Sequence, residues 1–351
     1  MKDFKAFLSQ FNTLSADELD ICANKILQII KQNQDAPQPC DDDNVCNCRR
    51  CSSDRISKYG KDKNGKQRFK CKDCGTLFVH DSFSVVSYTR KDYEVWEKFI
   101  KLTLQRASLE VCAKECEICV RTAFVWRHKI LDALSHEQDN RVLSGVIEID
   151  EMYIPISYKG NHKFSKKFKM PREPHKRGST DGAYPLSSKA CVMCGYERNG
   201  QSYAEVLGAG QTTLKMISHA FDYRLVPDSL LLSDKSSCIK KYFEDRNGIS
   251  HIQMQAHINP KDVHSPPEVK GAFHIQNINN IHSRIRKFLR PYNGVSTKYL
   301  NHYISLFIWI ENCKKIASAT LEKQTSEMIN SRNTYISEKE LADFPPIPFA
   351  A

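Results

Sequence analysis

The chain has 351 residues, enough for two or three domains of which one holds a sizeable core. No apolar stretch approaches the length of a membrane span, and Met1-Lys2-Asp3-Phe4-Lys5 lacks the apolar segment of a secretory signal, so a soluble, cytoplasmic protein is expected. Lys plus Arg is 52 against 41 for Asp plus Glu, a formal charge of +11 that favours a polyanionic partner without identifying it.

Residues 1–36 form an N-terminal helical segment. Phe4, Phe7, Leu8 and Phe11, then Leu19, Cys22, Ile26, Ile29 and Ile30 recur at helical spacing, and Ser15 with Glu18 makes a capping box. Gln34-Asp35-Ala36-Pro37-Gln38-Pro39 breaks the helix and reads as a linker.

A small cysteine-bearing module follows over 44–80. With fourteen cysteines and no export signal, free thiols and a metal site are expected rather than a disulfide scaffold. Cys48-x₂-Cys51 and Cys71-x₂-Cys74, 19 residues apart, have the spacing of two knuckles that share one zinc ion. Cys40 and Cys46 lie close enough to leave a swapped ligand open. Between the knuckles, Asn64-Gly65 is a hairpin turn flanked by basic and aromatic residues, and Lys66 and Arg68 suit contact with a phosphate backbone. Cys116-x₂-Cys119 and Cys191-x₂-Cys194 have knuckle spacing too, but one falls in a helical region and the other in a strand, so both pairs are read as core.

Residues 89–135 are helical again. Leu109–Cys116, a turn at Glu117–Cys119 and a second helix from Val120 to Leu131 make a helix-turn-helix candidate; the bland alternative is an ordinary helical hairpin. The second helix has no acid before Asp132, and it carries Arg121, Thr122, Val125, His128 and Lys129 on neighbouring turns. Arg121, Thr122, His128 and Lys129 are its candidate DNA contacts.

From Gly145 to about Gln255 strands and helices alternate: strands at 145–151, 190–197, 202–208, 229–233 and 250–254, helices near 212–222 and 236–245. Asn259-Pro260 to Pro266-Pro267 is a loop. Helices over 274–290 and 297–318 complete a catalytic-type domain at 143–318, and 323–351 reads as a polar, then Pro-rich, mobile tail. Two basic runs stand out: seven Lys/Arg and one acid between Lys58 and Lys72, and eight and one between Lys159 and Arg177. Either alone is usually a solvated loop; both beside a metal-type site point to nucleic acid.

That site rests on Asp150 and Asp234, each ending an apolar strand, and on Asn279, which opens a helical stretch with Arg286 two turns on. Two carboxylates and an amide oxygen are ligands suited to Mg²⁺ or Mn²⁺, and a pair of such ions can hold the attacking and leaving oxygens of an in-line phosphoryl displacement. Asn279, His282 or Ser283, and Arg286 share one helix face. Taken singly, an Asp at a strand end or an Asn on a helix is commonplace.

Here the residues carry a family resemblance. Gly145 to Tyr153, Gln276 to Ser283 and Asn293 to Leu300 resemble signature blocks of zinc-ribbon insertion-sequence transposases of the Merlin superfamily, as do Lys63 to Gly75 and Arg121 to His128. The resemblance covers roughly residues 45–315, five blocks in order. It implies a multidomain α+β protein: N-terminal helices, zinc ribbon, helix-turn-helix, then an RNase H-like α/β catalytic domain. That domain's triad is Asp, Asp and Asn or Glu, with Lys or Arg seven residues later, and by position these fall on Asp150, Asp234, Asn279 and Arg286. Strand alternation puts Glu148 on the face of Asp150, so the family pattern, and not the geometry, selects Asp150. Lys235 stands where the resemblance expects Gly.

The implied activity is a DNA transposase that recognises terminal inverted repeats through the zinc module and helix-turn-helix, cuts with divalent metal and transfers the strand to target DNA as a dimer or larger assembly. Two rivals remain at this stage. One is a domesticated, non-catalytic zinc-ribbon DNA-binding protein; the other is a structure-specific nuclease of the same fold, which would cut branched DNA without a terminal repeat.

Overall fold

In the computed structural model the described residues are 47–348, apart from 49, 52, 63–64, 80–81, 83, 88, 140, 161–184, 199, 245, 247, 256–267, 315–319 and 332–334. The expected N-terminal helices, the linker, Cys40 and Cys46, the loop near Asn259 and most of the basic run 159–177 lie outside them. The chain divides into two units, Met1–Ser82 and Phe83–Ala351.

In the first unit β1 (Ile56–Lys61), β2 (Gln67–Cys71) and β3 (Leu77–Val79) make an antiparallel sheet in that order. The hairpin joining β1 to β2 turns at Gly65 with φ +82°, and Asp62 closes it by accepting from the Lys66 backbone N–H at 2.8 Å. Alternation along β2 buries Phe69 and Cys71 on one face and puts Arg68 and Lys70 on the other.

The second unit opens with three helices: α1 (Tyr93–Leu104), α2 (Leu109–Glu115) and α3 (Val120–Asp139). Ser108 caps α2 by accepting from the Val111 N–H. Trp96 of α1 stacks on Trp126 of α3 with centroids 3.8 Å apart, and Phe99 meets Trp126 edge-on.

A five-stranded sheet follows, built from β4 (Val146–Pro155), β5 (Lys189–Glu197), β6 (Ser202–Ala209), β7 (Ser229–Ser233) and β8 (Ile249–Gln253). Its order is β6-β5-β4-β7-β8, with β4, β5 and β6 antiparallel and β7 and β8 parallel to β4. All five expected strands are present, and α4 (Leu214–Phe221) and α5 (Ser237–Glu244) fall in the expected helical windows.

The sheet is buried on both faces, which is why its strands read as near-continuous apolar runs. Ile147, Ile149, Met193 and Leu231 join a cluster with Ile217, Phe221 and Ile239 of α4 and α5. The other face carries Met152, Val192, Ala204 and Leu232, packed with α6 (Gln276–Leu289) and α7 (Leu300–Cys313). Helix α7 is apolar around nearly its whole circumference because it is wedged between the sheet and α3.

The C-terminal region departs from the expected mobile tail. Helices α8 (Leu321–Ser331) and α9 (Glu338–Asp343) lie in it, with Ile329, Ile336 and Leu341 buried. Trp309 Nε1 donates to Thr325 Oγ1 at 2.8 Å, and Ser337 with Glu340 forms a full capping box. The sparse apolar residues are spaced to reach the core, which a composition reading overlooks.

Candidate active site

In the first unit the four cysteines of the expected quartet converge, with all four sulfurs within 4.8 Å of one another. Cys48 Sγ is 3.6 Å from Cys74 Sγ, and Cys51 Sγ is 3.6 Å from Cys71 Sγ. Those separations are far beyond a disulfide and close to the edge of a tetrahedron with metal–sulfur bonds of about 2.3 Å. The Arg50 N–H donates to Cys48 Sγ and the Cys74 N–H to Cys71 Sγ, as suits thiolates held in tight turns. The Thr76 hydroxyl and its backbone N–H hold the Cys74 thiol down to about 6. The donor set and spacing fit zinc.

On the open face of the same sheet, Arg68 and Lys70 lie over the ring of Tyr59, at 5.7 and 5.5 Å. Tyr59 and Lys66 are exposed, so this strip combines charge with an aromatic plane.

The helix-turn-helix candidate has the expected elements, α2, a turn at Cys116–Cys119 and α3. However, α3 runs to Asp139, and much of it is buried against α7. Two of its four expected DNA contacts are thereby corrected. His128 is fully buried, its Nδ1 2.8 Å from His302 Nδ1. Lys129 is 8% exposed, donates to the Ser87 carbonyl at 3.3 Å, and lies over the Tyr335 ring. The spacing of its basic residues predicts a wet face along this helix, whereas His128 and Lys129 pack inside. Arg121 is exposed and pairs with Glu338 of α9 at 2.7 Å; Thr122 is half-buried, its hydroxyl 3.1 Å from Cys119 Sγ. Of the cysteines read as core, Cys116, Cys191 and Cys194 are buried and Cys119 is exposed.

In the second unit the parallel pairing of β4 with β7 ends at Ile149 opposite Ser233, so the next residue on each strand is an aspartate. Asp150 and Asp234 thus sit side by side, but only Asp234 follows the end of its strand; Asp150 lies midway along β4, which stays paired with β5 as far as Pro155, so it does not end its strand as expected. Glu151 joins them, the three carboxylates offering oxygens within 4.8 Å of one another. Neighbours on a strand normally point to opposite faces, so sequence reasoning passed over Glu151. Its Oε2 is buried without a hydrogen-bond partner.

Burial, then the nearby Asp234 and Glu151 carboxylates, push the Asp150 carboxyl well above the usual range. Burial raises Asp234 as well, and burial followed by Asp234 raises Glu151. Three carboxylates that resist ionising together are what a divalent cation relieves, and the all-oxygen donor set suits a hard ion such as Mg²⁺ or Mn²⁺.

Helix α6 brings His282 to this cluster. His282 Nδ1 is 3.8 Å from Asp150 Oδ2, and burial, then the Arg286 charge, hold its imidazole down to about 4 and therefore neutral. Asn279, half-buried, lies one turn before His282, and Arg286, exposed, one turn after it. Glu148 has a different task from Asp150 although it shares its strand face. Fully buried, it accepts from Asn277 Nδ2 at 2.7 Å, the Ile278 N–H at 3.0 Å and Arg198 Nε at 3.1 Å, which ties the first turn of α6 to β4.

The fold and carboxylate cluster define a mixed α/β domain with a metal-type acidic site, and residues 142–312 match the ISXO2-like transposase domain. That part of the chain is thus similar to transposase domains of the insertion-sequence kind. The chain is also 24% identical over 272 residues, 74% of its length, to an uncharacterized protein in transposable element ISH50 of Halobacterium salinarum, of which 83% is covered. The chain is also similar to two structures of Mos1, a strand transfer complex at 14% identity and a pre-cleavage transpososome at 13%. Each overlaps 72% of this chain and 81% or 82% of its own, with a TM-score of 0.20. Among the described residues, no helix is long and apolar enough to cross a membrane.

Proposed function

We propose that the protein is a metal-dependent DNA transposase that binds the ends of its insertion sequence, cleaves a strand there and joins it to target DNA. The observation that carries this reading is the trio Asp150, Glu151 and Asp234, gathered where the pairing of β4 with β7 stops, inside the segment that matches the transposase family. The sheet, three antiparallel strands with two parallel strands added beside the first, supports an RNase H-like reading of the catalytic domain.

Asp150 and Asp234 would hold the divalent ion, with Glu151 beside them and the Asn279 amide oxygen as a neutral further ligand. When bound, such an ion supplies a hydroxide nucleophile near neutral pH and offsets charge on the phosphate. The chain's own groups do the rest. Glu148 fixes α6 against β4, and α6 presents His282 to Asp150. The Asp234 carboxylate is steadied by the Ser236 N–H at 3.1 Å. Arg286, exposed on α6, offers its charge to the scissile phosphate.

The Cys48, Cys51, Cys71 and Cys74 set would hold zinc and stiffen the hairpin that carries Lys66, Arg68 and Tyr59. That strip, with Arg121 and Thr122 at the start of α3, is the proposed surface for the terminal repeats. Two ends have to be brought together, so a dimer or larger assembly on DNA follows. Asp234→Ala tests the reading: DNA carrying the element ends should still bind while cleavage is abolished, and a variant that cuts at the wild-type rate removes Asp234 from the site.

A further inference from the structure

Asp234 stands one residue past the backbone ladders that hold β7. The pairing of β7 with β4 ends at Ser233 opposite Ile149, and its pairing with β8 ends at Ser233 opposite Gln253. A short turn then leads through Lys235 and Ser236 into α5, and the set of that turn decides where the Asp234 carboxylate lies. Within it the Ser236 N–H donates to Asp234 Oδ1 at 3.1 Å, so the carboxylate goes where the turn goes.

The last residue of β8 reaches across to that turn. Gln253 Nε2 donates to the Asp234 carbonyl at 3.3 Å and to the Ser236 carbonyl at 3.1 Å. The backbone on either side of this amide is itself tied down: Lys270 Nζ donates to the Gln253 carbonyl at 3.1 Å, and the Met254 N–H donates to the Ser233 carbonyl at 2.8 Å. The Ser233 hydroxyl adds a second bond to the Asp234 carbonyl at 2.8 Å, and the same hydroxyl lies 2.8 Å from Nε2 of His251, two residues before Gln253 on β8. Two alternate side chains of this edge strand are thus spent on the residues around Asp234, and the chemistry proposed above uses neither.

That expenditure has a physical reason. Asp150 and Asp234 repel each other unless a cation lies between them, and the repulsion bears on a turn that lies past the ladders. Two bonds from one amide resist such a swing and keep the carboxylate facing Asp150. Partners one step behind a metal ligand commonly change metal affinity by about 10–100-fold.

We propose that Gln253 is a positioning residue for the metal centre: it holds the turn from Asp234 to Ser236 so that the Asp234 carboxylate meets Asp150 and Glu151 around a divalent ion. The proposal rests on the reading above that these carboxylates bind a metal. It gives β8, which carries none of them, a part in the site.

The test measures Mn²⁺ affinity on the full chain with the zinc site filled. Wild type is compared with Gln253→Met, which has similar reach and no donor, and with Gln253→Asn, which keeps the amide but falls one methylene short. Metal-free melting curves set a temperature at which each protein is folded throughout the titration. Both variants should bind Mn²⁺ about tenfold more weakly, and the rise in melting temperature given by a fixed excess of Mn²⁺ should shrink with it. A side chain that merely closes the sheet edge would lower the metal-free melting temperature and leave the Mn²⁺ affinity as it was. Wild-type affinity in either variant therefore overturns the proposal while the metal centre stands. No Mn²⁺ binding by wild type would sink the metal centre itself, and this proposal with it.

Discussion

Asp150 and Asp234 follow the two members of one parallel pair, Ile149 and Ser233, so the register of β4 with β7 sets the spacing of the acidic site. A one-residue slip in that register would put Ser233 or Lys235 in place of Asp234 beside Asp150. Helix α6 is tied to the same strand through Glu148, two residues before Asp150.

Glu148 is accordingly a positioning residue. Glu148→Ala leaves Arg198 and the first turn of α6 facing an empty buried space and should cost about 3–5 kcal/mol of stability, against about 1–3 kcal/mol for Glu148→Gln, which keeps the shape. Urea unfolding of the three proteins measures both. An alanine variant as stable as wild type would contradict the anchoring role.

Lys129 gives a pH dependence. Burial holds its ammonium down to about 8, from the ordinary 10.5. Below pH 8 the lysine is charged in both states and the folded state bears the full cost of burying it; the cost fades as pH rises from about 8 to 10.5. Lys129→Met should therefore stabilise the protein at pH 7 by at most about 3 kcal/mol, the gain shrinking across that window, with DNA affinity unchanged. Thermal melts at pH 7 and pH 10 and a DNA titration check it. Weaker DNA binding by the variant would restore Lys129 to the DNA surface.

Cys71→Ser should release zinc from the first unit and loosen the β1–β3 sheet while Phe83–Ala351 stays folded, since a structural zinc site contributes its binding energy directly to folding. Metal analysis combined with limited proteolysis reads both effects. Unchanged zinc content would refute the quartet.

Much of this was legible in the sequence. The five strands alternate with helices as the apolar runs indicate, and the knuckle spacing alone identifies the four thiols that meet. What stayed hidden is tertiary. Glu151 joins Asp150 only where the pairing with β7 stops, His128 and Lys129 are inside because α7 covers α3, and Glu148 matters because α6 begins beside it. A periodicity shows that a helix has two faces, but it cannot show which neighbour will cover the polar one. Short apolar repeats such as Leu321, Ile329 and Leu341 are likewise lost in a polar, Pro-rich composition.

The most direct test of the acidic site is Mn²⁺ binding by the full chain, followed by calorimetry with the zinc site filled. Wild type should bind Mn²⁺, Asp150→Asn should lose that binding, and Cys71→Ser should keep it. Mn²⁺ binding that is absent from wild type, or that survives unchanged in Asp150→Asn, would contradict a metal centre at Asp150, Glu151 and Asp234.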